Sequence, residues 1–170
     1  MSDIILSDGL KAARKLEMVF VDVGTGKTPE WEILGRGVED MSIEFNHDIE
    51  QNTDVLGITD TSVSEAKPAI SIDPNTIRGG KKLSARLLDI ERRNAISEFS
   101  TFTVLNVHCY LGTENGPFEA EVHKASTIVP TSLGGSTYVD MPLDVRLSND
   151  KTLGTATIKD GVPTFTAAAE

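Results

Sequence analysis

The sequence predicts a mainly β chain with one α-helix, arranged as an antiparallel β-sandwich or barrel with a flanking helix and a long protruding β-hairpin. Three observations predict it. Short runs of β-forming residues recur between turn signals along most of the chain. A helical spacing of apolar residues is sustained only over about 81–96. One segment, 40–73, reads as two strands longer than a compact body of this size can cover. A length of 170 residues suits one domain, 1–170, with a core that needs neither disulfide nor metal.

In chain order, residues 7–15 allow a short helix capped by Ser7 or Asp8, with Leu10, Ala12 and Ala13 inward. An N-terminal arm over 1–15 is the other reading. Leu16 to Val23 is rich in β-formers and reads as a strand, 24–29 as a turn, and Trp31 to Leu34 as a short strand. Met41, Ile43, Phe45, His47 and Ile49 then alternate with Ser42, Glu44, Asn46, Asp48 and Glu50. A period of two means a strand with one apolar and one acidic face. A polar loop interrupted by Val55, Leu56 and Ile58 follows, and Pro68 to Asp73 returns. Arms of about 14 residues would reach about 45 Å. A compact domain of this length spans about 40 Å, so the hairpin should project and expose edges that invite another chain.

Leu83, Leu87 and Ile90, widened by Leu88 and Ala95, mark the helix; its other face is basic, with a net of +4 over 78–93. Phe99 to Leu111 is β-forming without alternation, as a strand buried on both faces would be. Phe118, Ala120 and Val122 mark one further strand and Val139 to Leu147 another, with Pro142 at an edge or bulge. Thr152 to Lys159 is the last strand, and 160–170 is a C-terminal arm.

The formal charge is −10, from 26 acids and 16 bases. That excludes a protein built to grip nucleic-acid phosphates or anionic membranes. Residues 39–66 hold eight of the acids and no Lys or Arg, so the remainder is nearly neutral. Solvated faces normally mix both signs, so an unmixed acidic stripe on a projecting hairpin suggests a selected field. Without that, acids on a strand simply mark its solvent side. The single Cys109 forms no internal disulfide. The N-terminus does not read as a signal peptide and no apolar run reaches the ~20 residues of a membrane span, as for a soluble chain folding in a cytoplasm.

Catalytic and metal motifs are weak. Val23-Gly24-Thr25-Gly26-Lys27-Thr28 echoes a phosphate-binding loop, but Val21 stands where the first glycine belongs and a strand follows in place of a helix. A hairpin turn explains it better. His108 and Cys109 are neighbours on a strand and point to opposite faces. His47 and His123 lack ligand spacing. Glu119 and Glu121 share a strand face, which solvent explains as well as a glycosidase pair would, and Trp31 reads as packing. The basic helix face lacks interleaved aromatics and reads as solvated or subunit-contacting. No enzyme activity and no cofactor are expected.

Trp31-Glu32-Ile33-Leu34-Gly35-Arg36-Gly37-Val38-Glu39-Asp40, followed by the acidic strand, resembles the tail tube (major tail) proteins of long, non-contractile-tailed bacteriophages. So does Ser132-Leu133-Gly134-Gly135-Ser136-Thr137-Tyr138-Val139-Asp140-Met141-Pro142-Leu143, with Ser148-Asn149-Asp150-Lys151-Thr152-Leu153-Gly154-Thr155 after it. The resemblance covers about 17–158. It implies a β-sandwich with a flanking helix whose copies form hexameric rings, stacked into a hollow tube. The hairpin 40–73 would join a closed inner barrel, and the termini would act as arms between subunits. Many members add a C-terminal immunoglobulin-like domain, and none is expected here. On this reading Glu44, Asp48 and Glu50 face the lumen, and the apolar face of 41–49 packs on the sandwich. Val55, Leu56, Ile58, Arg86 and Arg93 make contacts between subunits. The partners are copies of the chain and the tail tip, tape measure and tail terminator proteins. Genomic DNA passes as non-adhering cargo, no membrane is bound, and the particle is a virion tail assembled in the host cytoplasm. The alternatives are an inner tube protein of a contractile tail or phage-derived bacteriocin and, more remotely, a carbohydrate-binding module.

Overall fold

A computed structural model describes residues 3–169; residues 1, 2 and 170, the ends of the two expected arms, lie outside the described residues. The elements are β1 (Glu17–Asp22), β2 (Trp31–Ile33), β3 (Ile43–Glu44), β4 (Ile49–Thr53), β5 (Thr59–Val63), β6 (Ala69–Ile72), α1 (Lys82–Arg93), β7 (Phe102–Gly112), β8 (Phe118–Pro130), β9 (Leu143–Arg146), β10 (Lys151–Lys159) and β11 (Val162–Ala167). The chain is thus mostly β with one α-helix, and its principal sheet is a curled antiparallel half-barrel.

β8 organises the curl. β7 runs antiparallel along one of its edges, from Phe102 opposite Ser126 to Gly112 opposite Phe118. Its other edge changes partner: Phe118 to His123 pair with β10, whereas Thr127 to Pro130 pair with β9. The change falls at Ala125, whose φ of 52° is rare for a residue with a side chain and kinks the strand. The order β2-β1-β7-β8 therefore continues in two directions, to β10-β11 and to β9-β6-β3.

Each face of the sheet carries its own core. Alternate residues of β7 divide between them, as a strand between two neighbours and under two layers requires. Phe102 and Val104 join Val19, Val21, Ile70, Ile128 and Val145 under the helix, which contributes Leu83, Leu87 and Ile90. Leu105, Val107 and Cys109 join Phe20, Ala120, Val122 and Ala156 inside the curl, where Trp31 and Phe165 are packed partly buried. Burial raises the Cys109 thiol pKa, as for an inert core cysteine.

Several elements differ from the sequence reading, each for a local reason. No α-helix forms over 7–15: Gly9 sits at φ 79°, and only Arg14–Leu16 makes a 3-10 turn. The N-terminal segment instead runs beside the end of β7, with Ile4 bridging Leu111 and the Ile5 N–H donating to Tyr110 O at 3.1 Å. The helix stops at Arg93, earlier than the expected 96, because Asn94 takes a left-handed cap at φ 54°. The strand expected over 139–147 is regular only at Leu143–Arg146. Most of the expected C-terminal arm is strand β11, turned back on β10 by Asp160 and Gly161, both at positive φ. That is the backbone of a two-residue hairpin turn whose twist matches the flanking strands.

Candidate functional site

The segment 43–72 is a hairpin in two parts. At its root, Ile43 and Glu44 pair with Ile70 and Ala69, and β6 continues into the principal sheet through β9. Beyond Asn46 the ladder restarts as a separate two-stranded sheet, Ile49 opposite Val63 through Thr53 opposite Thr59. Asn46 makes the break: its φ is 50°, and its amide donates to Glu44 O at 3.3 Å and to Lys67 O at 3.2 Å. Asn tolerates that conformation because its short amide can bond locally. The single strand expected over 41–50 is therefore interrupted, and its apolar face does not all pack on the body. Met41 is buried and Ile43 half-buried, but Phe45 and Ile49 are exposed.

The distal ribbon is exposed at all ten strand residues. Its register sorts the side chains. Ile49, Gln51 and Thr53 share a face with Val63, Thr61 and Thr59; Glu50 and Asn52 share the other with Ser62 and Asp60. At the tip, Asp54 Oδ1 accepts the N–H of Leu56 at 2.8 Å and of Ile58 at 2.9 Å. The turn this closes presents Val55 fully, and Leu56 at 80% exposure, to solvent.

The acids of the segment divide by their surroundings. Asp48, expected at the lumen, lies 2.7 Å from Lys67 Nζ, which lowers its pKa and offsets its charge. Lys67 stands one residue beyond the base-free stretch, so the stripe is less unmixed in space than in sequence. Glu65 accepts from Asn149 at 3.2 Å. Glu50 and Asp60 stand together on the polar face of the ribbon, and Glu44 lies on the root side of the kink.

The basic helix finds much of its countercharge within the chain. Glu32 of β2 accepts the N–H of Lys82 at 2.9 Å, capping the helix from a distance, and its other oxygen lies 3.7 Å from Lys81 Nζ. A carboxylate there also meets the positive end of the helix dipole. Lys82 is ion-paired with Glu30. Arg93 bonds Asp89 at 2.8 Å and grips both oxygens of Glu98 at 2.9 Å, while Arg86 lies 4.6 Å over the Phe102 ring. Arg86 and Arg93, read from sequence as subunit contacts, thus have structural roles inside the subunit.

The remaining polar groups tie strands together. Glu17 Oε2 accepts the Tyr110 hydroxyl at 2.9 Å and lies 2.8 Å from His108 Nδ1. This raises the His108 pKa; burial and then the same carboxylate push Tyr110 up to about 12. Glu121 lies within 3.4 Å of Asn106, His123 and Lys151 and is held down to about 2, chiefly by His123. Its ordinary value is 4.5, so the unfolded chain takes up this proton first as acid is added. Glu121 stabilises the fold fully above that value, and the contribution is lost as pH falls towards 2. E121Q is expected to flatten the wild-type loss of stability between pH 4.5 and 2, by on the order of 1–2 kcal/mol, in urea titrations at stepped pH. An unchanged acid slope would refute the assignment. Among the described residues, no three or more His, Cys, Asp or Glu side chains converge as metal ligands. The turn at 24–30 is a plain hairpin connection, closed by Asp22 Oδ1 accepting the N–H of Gly24 and Glu30, each at 2.9 Å.

One feature has no local sequence signal. At the mouth of the half-barrel a trough of about 640 Å³ lies among Trp31, Thr103, Val122, Lys124, Pro163 and Phe165. Four strands supply these six residues. Alternation places each on the inner face of its own strand, yet no pattern says that the inner faces end in a trough.

No protein-family model matches the sequence, and no curated protein matches it significantly. Among solved structures, the fold is similar to that of the PVC sheath/tube terminator of an extracellular contractile injection system in its extended state. The TM-score is 0.52 and the identity 12%, over 86% of this chain and 99% of that one. The tube-terminating cap of the anti-feeding prophage (AFP) also matches, with a TM-score of 0.47 and 17% identity over 91% of this chain and 96% of that one. The first of these shows a shared fold, mainly β around a curled sheet. The sequence resemblance pointed to tubes of non-contractile tails; the fold likeness falls on a terminator from a contractile system.

Proposed function

We propose that this chain is a structural, ring-forming subunit of a phage tail or tail-like particle, set on the axis of a hollow tube. The observation that carries the reading is the distal ribbon, amphipathic yet uncovered by its own body. A two-stranded ribbon alone is marginal in water, and its bare edges pair readily with other strands. Copies around a six-fold axis close such ribbons into an inner barrel, with Ile49 and Val63 turned towards subunits and Glu50 and Asp60 towards the channel. DNA meets like charge there and slides without adsorbing, an effect confined to about 8 Å of the wall at physiological salt.

The tube reading has tube, tip, tape measure and terminator proteins as neighbours. A second reading, a ring that terminates the tube, is favoured by the likeness to a terminator over nearly all of that chain. Electron microscopy of the concentrated protein separates them: stacked tubes support the first, discrete rings the second. A chain that stays monomeric with and without tail components refutes both. The channel assignment has its own test. E50K/D60K is expected to leave the fold and rings intact but to retain DNA at least about tenfold more strongly in low salt, measured by gel shift. Rings of the variant that hold DNA no better than wild type would refute it.

A further inference from the structure

We propose that the hairpin tip, Val55 and Leu56, seats in the half-barrel trough of a second copy of this chain. The inference rests on the ring-forming reading and names the surface that receives the hairpin.

The tip is built as a knob. Besides the two bonds to Asp54 Oδ1, the Asp54 N–H donates to Ile58 O at 2.9 Å and the Gly57 N–H to Asp54 O at 3.0 Å. Gly57 sits at φ 81°, a conformation glycine adopts without strain. Four hydrogen bonds within five residues fix a turn whose outward groups are two aliphatic side chains. A group ordered before association loses little entropy on docking. Val55 is fully exposed, so the tip does not fill the trough of its own chain.

The trough is built as a hole. Trp31 and Phe165 line it while packing on the inner core with their remaining surface. The walls come from opposite ends of one sheet run, β2 on one side and β11 on the other, so its shape is set by the fold and not by a loop. Charge favours the match. The tip carries Asp54 and Asp60 within a stretch free of bases. Lys124 is the base among the residues lining the trough; the acid among them, Asp22, is occupied by two backbone N–H groups. Knob and hole are different surfaces, so each copy gives one contact and receives one. Such a heterologous contact makes a ring where the rotation closes and a stack where it does not.

Trp31 is the only tryptophan in the chain and lines the trough, so its emission reports occupancy directly. The full-length protein is titrated in concentration, with emission and sedimentation followed together. Wild type is expected to shift Trp31 emission to shorter wavelength in step with assembly. V55D/L56D, and separately A167R, at an exposed residue of the trough wall on the same face of β11 as Phe165, should assemble at least about 100-fold more weakly, with no emission shift. Far-ultraviolet spectra and melting of both variants should match wild type. As a second measurement, L56C and A167C chains mixed under oxidation should form a covalent dimer that neither forms alone. Assembly of wild type without an emission change, or A167R assembling as wild type does, overturns the trough and leaves the ring reading standing. Absence of any assembly by wild type overturns both.

Discussion

Replacing Phe102 by Ala is expected to remove about 3–5 kcal/mol of stability. Phe102 is completely buried where β7 passes under the helix, within the core that also holds Leu87, Ile90 and Ile128. Truncation opens a cavity among side chains held between the curled sheet and the helix, so little can collapse into it. It also removes the ring beneath the Arg86 guanidinium, 4.6 Å from its centroid, a contact worth about 0.5–1 kcal/mol where solvent reaches. Domains of this kind have about 5–15 kcal/mol in all, so the urea midpoint should fall by about a fifth or more with an unchanged slope. F102L, which refills most of the volume, should cost under about 2 kcal/mol. Similar midpoints for F102A and wild type would show that the helix core is not closed as described.

Gly154 to Ala is expected to cost about 3 kcal/mol, at the upper end of overpacking effects. Gly154 lies in β10 between Ala120 of β8 and Ala167 of β11. An added Cβ would stand 2.2 Å from Thr166 O and under 3 Å from two carbons of the Phe165 ring. Backbone cannot yield by that much, so β11 must part from β10 or Phe165 must leave the inner core. The readouts are urea unfolding and the rate at which protease trims the C-terminal strand. Both should change together; a variant as stable and as resistant as wild type would mean that β11 does not lie on β10 in this way.

What was legible in the sequence followed from signals that are local and physical. Phe99 to Leu111 has no alternation because its strand is covered on both faces, and the helix shows itself through Leu83, Leu87 and Ile90. The Asp160-Gly161 turn was equally local, a strong hairpin signal, but the apolar residues after it are few and β11 reads as a tail. The hairpin shows what periodicity leaves open. Alternation from Met41 to Ile49 says that one face avoids water, not which molecule covers it. It also persists in the letters while the backbone turns at Asn46, because a left-handed asparagine leaves no mark on hydrophobic spacing. The base-free stretch ends at Ala66, one residue short of the lysine that pairs with Asp48. The trough is beyond sequence reasoning of this kind, since its walls are joined only when the sheet curls.

The shared strand β8 also fixes how the molecule bears force. Main-chain hydrogen bonds connect the hairpin root to the C-terminal strand by one route, β3-β6-β9-β8-β10-β11. Antiparallel bonds lie perpendicular to their strands, so a pull along the strands loads each ladder in shear and its bonds yield together, not in succession. Ala125 marks the corner on that route, where load entering β8 from the β9 ladder passes along the strand to the β10 ladder.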